Sequence, residues 1–299
     1  SFRPGVMARL GLGYEDVKAV KPGIVYCSTS GYGQDGPRSQ WAGHDLNYLA
    51  VGGYLHCSGR GADGGPALPG ATIADSAGGG MQAVMSILAA LVARQSSGEG
   101  RWLDVSVADG VLSLMSLYVE QHLATGDEPG PRHDLLTGRY ACYDLYEASD
   151  GGWLSVAAIE PHFWRNLCSK LGHDELADAQ LDDARQDEVR AAFRARFKEQ
   201  TRDEWAAELA PADTCVAPVL SIAEAAADEQ FAARGAIVDA THPTEGSFRQ
   251  VGPVFAGQRG QGEPVEVPDW TRTSTDEVLA EAGFSPDELR ALRDAEVIA

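Results

Sequence analysis

Several side chains in this sequence are spaced to move a proton or hold an anion. The stretch Ala71 to Gly80 reads Ala-Thr-Ile-Ala-Asp-Ser-Ala-Gly-Gly-Gly, with Asp75 followed by Gly78, Gly79 and Gly80. A carboxylate here either caps a helix or sits where the unpaired N–H groups and dipole of a helix start favour negative charge. The glycines weaken the start that a cap would strengthen, and they let another molecule approach the backbone. Upstream, His44 stands in Gly-His-Asp-Leu-Asn-Tyr. Asp45 is in position to cap a helix carrying Leu46, Leu49 and Ala50 on one face, which leaves His44 in the loop just before it. A lone histidine is usually structural or solvated. Here a second helix start, at Asp75, follows after one Gly- and Pro-rich excursion, Ser58 to Pro69. Glu160, in Ile-Glu-Pro-His, follows a strand and precedes proline, a helix-start position from which an acid can also face a cleft. Arg3 and Arg9, in Phe-Arg-Pro-Gly-Val-Met-Ala-Arg, read equally as solvated surface and as anion binders.

The elements that must position these groups alternate between strand and helix. Ile24 to Ser30 has the composition of a strand and runs into the glycine-rich loop Gly31 to Pro37. That loop matches neither common phosphate-binding pattern. Met81, Val84, Met85, Leu88, Leu91 and Val92 fall at helical spacing. Ile87, Ala89 and Ala90 make the other faces apolar, so a buried helix is expected. Trp102 to Val107 alternates as a strand, and Ala108 to Leu123 is helical again. This order predicts an α/β fold with a parallel or mixed sheet. Near Leu135 the character changes. Tyr140–Tyr146 and Trp153–Ala157 read as a hairpin turning at Ser149–Gly152. Charged helices follow, with capping-box patterns at Thr201…Glu204 and Ser221…Glu224. Ala236–Ala240 reads as a strand, and Ser274…Glu277 and Ser285…Glu288 open two more helices.

Composition bounds the function. The 299 residues suffice for a large domain or two unequal ones. A net charge of −20, from 24 basic and 44 acidic residues, argues against a nucleic-acid partner. It leaves room for a few arginines around a small anion. No apolar run of membrane-spanning length is read, and no membrane partner is expected. Five scattered cysteines form no metal-ligand pattern and predict free thiols in a reducing, cytoplasmic compartment.

Taken in order, Phe2-Arg-Pro-Gly-Val, Gly31-Tyr-Gly-Gln-Asp-Gly-Pro37, Gly43-His-Asp-Leu-Asn-Tyr48, Ala74-Asp-Ser-Ala-Gly-Gly-Gly80, Ser97-Gly-Glu-Gly100 and Ile159-Glu-Pro161 form a set that resembles the class III CoA-transferase superfamily. Within it, the set is most similar to the alpha-methylacyl-CoA racemase family. Each motif alone is weak; their order along essentially the whole chain carries the likeness. The resemblance implies a two-domain class III CoA-transferase-like fold and an interlocked homodimer. Residues 1–139 would be the large domain, 140–225 the small domain and 226–299 the return to the large one. Family members carry a further N-terminal segment with some of the CoA contacts, so a sequence with that segment missing is expected.

By the same resemblance, His44 and Asp75 are the catalytic acid/bases, Glu160 stands near the histidine across the dimer, and Arg3 or Arg9 lies near CoA phosphates. Inverting a carbon next to a thioester needs one group to remove a proton and another to return it on the opposite face. Amides at the Gly78–Gly80 helix start are expected to stabilise the enolate. The expected substrate is a 2-methyl-branched acyl-CoA, with no metal and no cofactor beyond its coenzyme A moiety. CoA transfer between carboxylic acids, with Asp75 as nucleophile, is the alternative. Transferases of the superfamily generally lack the histidine. An inactive CoA-binding fragment is the third reading.

Overall fold

The computed structural model describes residues 2–253, 264–269 and 273–298. It divides into two compact units, Ser1–Pro218 and Val219–Ala299.

In the first unit, α1 (Val6–Arg9) and α2 (Tyr14–Val20) lead into β1 (Val25–Ser30). Then come α3 (Asp45–Val51) and α4 (Tyr54–Cys57). A π-helical segment, Ala74–Met81, runs without a break into α5 (Gln82–Ser97). β2 (Arg101–Ser106) returns parallel to β1, in register from Val25↔Arg101 to Ser30↔Ser106. A parallel pair requires a crossover, and α3 to α5 supply it. α6 (Val107–Leu114) and α7 (Ser116–Thr125) follow. Both strands therefore end side by side, and the Ala108 N–H donates to the Gly31 carbonyl at 3.0 Å to join the two exits. Tyr48, Leu49, Ala74, Val107 and Val111 form the core beneath this edge.

A second core, running from Ala141 to Val216, lies in the same unit. β3 (Tyr143–Glu147) and β4 (Trp153–Ala157) form the expected hairpin, and β5 (Val216–Pro218) adds an antiparallel third strand beside β4. α8 (Pro161–Leu171), α9 (Gln186–Phe197) and α10 (Arg202–Leu209) bury Trp164, Phe193, Phe197 and Trp205 in it. The Val219–Ala299 unit holds α11 (Ile222–Ala227), α12 (Glu229–Ala233), β6 (Ile237–His242), β7 (Gly246–Val251), β8 (Val265–Glu266), α13 (Thr275–Glu281) and α14 (Pro286–Asp294). The capping hydroxyls of Thr201, Ser221 and Ser285 accept N–H groups as read from sequence. Ser274 makes no such bond.

Two expectations are corrected here. α5 forms at the predicted place but is not a buried helix: only Ala90 is buried in it, and Met85 and Val92 are 63% and 65% exposed. Helical spacing says which residues share a face, not what covers that face. Together, the π segment and α5 make 24 residues long and apolar enough, by length and composition, to cross a membrane. A run of that length was not expected from the sequence.

Candidate active site

His44 and Asp75 enter the same cavity from different elements. His44 is the N-cap of α3, and Asp75 is the second residue of the π segment. Both line a cavity of about 740 Å³, together with Arg3, Tyr48, Gly79 and Gly80. Thr29, Ser30 and Gly31 form part of its wall, so it opens at the C-terminal end of β1, where ligands of open α/β sheets bind. Both acid/base candidates are exposed. Among the described residues, neither the imidazole nor the carboxylate has a hydrogen-bond or ion-pair partner. Each is free to meet a substrate proton.

Asp45 fixes how the two are set. Its expected role as N-cap of α3 belongs instead to His44, whose N–H is held by the Asn47 side-chain oxygen at 3.1 Å. Asp45 turns away from its own helix, and its carboxylate accepts the backbone N–H of Asp75 at 2.9 Å. One orphan donor of the second helix start is thereby satisfied by the first residue of another helix.

The glycines do three different things. Gly78 is buried and lies outside the cavity lining; a Cβ on Gly110 would stand 2.0 Å from its carbonyl oxygen, so two backbones touch here. Gly79 and Gly80 do line the cavity. A π turn directs each N–H to the carbonyl five residues back. The amides of Gly79 and Gly80 therefore stand within the helix's own ladder, not at a free helix start. This corrects the expectation that these amides face an enolate. Gly79 is packed tightly, since a Cβ there would stand 3.0 Å from the Val107 side chain, whereas a Cβ on exposed Gly80 would come no nearer than 3.4 Å to the Asp75 carbonyl oxygen. The loop glycines Gly33 and Gly36 adopt φ of +86° and +80°, which requires glycine. Asp104 on β2 anchors that loop by accepting the Gln34 N–H at 3.0 Å.

Tyr48 is a site residue that sequence reasoning passed over. Its hydroxyl donates to the Gly43 carbonyl at 2.5 Å, pinning the backbone just before His44. Its ring meets Tyr32 edge-on at 5.2 Å. A Cβ at Gly31 or Gly43 would fall 2.5 Å or 2.8 Å from the Tyr48 side chain, which explains both glycines. Burial raises the phenol pKa above its ordinary value, with Tyr32 and Asp75 adding to the rise. The available signal was the position of Tyr48 four residues after His44, one turn along the same helix.

The remaining candidates lie apart. Arg3 is shared with a neighbouring cavity of about 700 Å³ that also carries Tyr14, Tyr26 and Trp102. Arg9, in the last turn of α1, lines neither cavity. Glu160 is the exposed N-cap of α8, with Pro161 after it, and is also outside both linings.

A mixed helix-and-sheet α/β fold with acid and base groups over the end of a parallel strand defines an enzyme-like class. Comparison with known proteins makes the class specific. The family model for CoA-transferase family III matches residues 1–269. Human alpha-methylacyl-CoA racemase is 33% identical over 306 residues, covering 99% of this chain and 77% of that protein. Acetyl-CoA:oxalate CoA-transferase of Acetobacter aceti is 33% identical over 247 residues, covering 80% of this chain and 62% of that protein. The crystal structure of a CAIB/BAIF family protein from Brucella suis superposes with a TM-score of 0.76 at 28% identity, covering 94% of this chain and 73% of that one. The chain belongs to CoA-transferase family III, whose members include racemases and CoA-transferases.

Proposed function

We propose that this protein is a racemase acting on the alpha carbon of a 2-methyl-branched acyl-CoA. The observation that carries the reading is the shared cavity: an imidazole and a carboxylate, both unpaired among the described residues, line one space next to Arg3. One hand of the substrate loses its alpha proton to His44 and regains one from Asp75. The other hand uses the pair in reverse. The imidazole and the carboxylate must therefore begin in opposite protonation states, and these exchange at each turnover. Arg3 is proposed to meet the anionic part of the CoA moiety, which then extends toward the neighbouring aromatic cavity. Coenzyme A enters only as part of the substrate.

We further propose a homodimer in which Glu160 of the partner subunit stands beside His44. The uncovered apolar face of α5 supports an assembly of this kind, since contiguous exposed apolar side chains mark interaction sites. Five free thiols fit a reducing, cytoplasmic location.

CoA transfer is the second reading, favoured by the likeness to the Acetobacter transferase. There Asp75 attacks the acyl carbon and becomes a mixed anhydride, displacing the CoA thiolate. Hydroxylamine quenching during turnover, followed by mass spectrometry of the Asp75 peptide, separates the two. The racemase reading expects an unmodified peptide; an aspartyl hydroxamate at Asp75, formed by hydroxylamine attack on the Asp75 carbonyl of the anhydride with the acyl group leaving as its carboxylate, would establish the nucleophile.

A further inference from the structure

We infer that Gln180 is a positioning residue for Glu160, an inference that rests on the role proposed above for that acid. Strand β4 ends at Ala157 and α8 begins at Pro161. The backbone between them leaves the sheet while still buried at Ala158. Its carbonyls need partners from elsewhere, because a buried backbone acceptor without one is costly. Gln180 supplies them. Its side-chain amide donates to the Ala158 carbonyl at 3.0 Å and to the Ile159 carbonyl at 2.6 Å. These are the two peptide oxygens immediately before Glu160, reached from twenty residues further along the chain.

Gln180 is itself buried, at 9% exposure, and is held in turn. Gln186, at the first position of α9 and 4% exposed, donates to the Ala179 carbonyl at 3.0 Å and the Asp182 carbonyl at 2.9 Å. Its side-chain oxygen accepts the Ala141 N–H at 2.8 Å. The second core therefore contains two glutamines in series. One end grips the hairpin and the other grips the approach to Glu160. A packing role alone would be met by leucine or methionine, without the need to satisfy a buried amide. Donating both bonds to one short segment fixes the direction in which α8 starts, and so where its exposed N-cap acid points.

The test exploits the asymmetry of a two-base site. Exchange of the alpha proton from one substrate hand uses His44, beside which Glu160 stands; exchange from the other hand uses Asp75. Alpha-deuterium uptake is measured separately from each hand of a 2-methylacyl-CoA, for the full-length parent, Glu160→Gln, Gln180→Met and the milder Gln180→Asn. Gln180→Met is expected to slow exchange from the same hand as Glu160→Gln does, by roughly tenfold to a hundredfold as for a small misplacement of a catalytic group. The other hand should stay near the parent rate. Gln180→Asn, which keeps an amide, should fall in between, and it serves alone if the methionine variant does not fold. An equal loss from both hands, or no loss, would overturn the inference. A silent Glu160→Gln would instead remove the role of Glu160, and a parent without exchange would remove the racemase reading.

Discussion

The Asp45 carboxylate accepts the backbone N–H of Asp75 at 2.9 Å, across thirty residues of sequence. Asp45 also follows His44 directly. One side chain therefore ties the residue next to the first acid/base candidate to the backbone of the second. In a two-base site the separation of the bases decides whether both faces of one carbon are reached. Asp45→Ala should lower kcat about tenfold to a hundredfold, equivalent to about 1.4–2.8 kcal/mol of barrier. Asp45→Asn keeps an acceptor oxygen and should recover most of that. Racemisation rates for the two variants decide the matter: parent-like kcat in the alanine variant would show that the contact sets nothing.

His44→Ala should reduce racemisation by orders of magnitude while circular dichroism stays that of the parent. The imidazole makes no hydrogen bond or ion pair among the described residues, so its removal leaves no partner stranded. Activity within about tenfold of the parent, less than ~1.4 kcal/mol of barrier, would contradict a base at this position.

His44 and Asp75 were legible as candidates because they belong to short motifs whose order along the chain is distinctive. Their shared cavity was not legible, since thirty residues of crossover separate α3 from α5. Asp45 was misread for a physical reason: the same carboxylate caps its own helix or accepts from a distant one, and only the fold chooses between them. β1, β2 and the β3–β4 hairpin were visible through β-rich composition and turn residues. β5 was not, because Val216, Ala217 and Pro218 are too few to show a period. β7 (Gly246–Val251), which pairs with β6, is mostly exposed and so lacks the apolar alternation that marks a half-buried strand. The glycines of 78–80 looked like a helix start because glycine disfavours helix interiors. Close contact with Gly110 and the π turn reverse that expectation.

The cysteines give a test of the second core. Burial pushes the Cys142 thiol up to about 11 and the Cys168 thiol up to about 12. In an unfolded chain both titrate near ~8.5. Below that pH both states hold the proton and the contribution to stability is complete. It is lost as pH rises from there through the folded values, because the unfolded state alone releases protons. Chemical denaturation at a series of pH values should show stability falling above about pH 8.5, less so in a Cys142→Ala, Cys168→Ala variant. At pH 8 a thiol reagent should label exposed Cys215 and half-buried Cys27 and Cys57 first, and the buried pair only on unfolding. Equal labelling of all five would contradict the packing of this core.

Met81, at the end of the π segment, and Met85, Leu88 and Val92 of α5 are between 54% and 65% exposed. Light scattering on the full-length protein should give a dimer at every accessible concentration. Met85→Lys, which places a charge among these side chains, should weaken the assembly and reduce activity together. A folded monomer with parent-like activity would contradict the shared site.

With His44 and Asp75 on opposite faces of the alpha carbon, one removes the substrate proton and the other delivers a solvent-derived one. The direct measurement is to incubate the full-length protein with one hand of a 2-methylacyl-CoA in deuterated water, with no added acid. Product configuration and alpha-deuterium content are then read by chromatography and mass spectrometry. Two-base racemisation predicts the opposite hand accumulating with solvent deuterium at the alpha carbon. Retention of both configuration and alpha hydrogen, with CoA passing to a carboxylic acid once one is supplied, would contradict it.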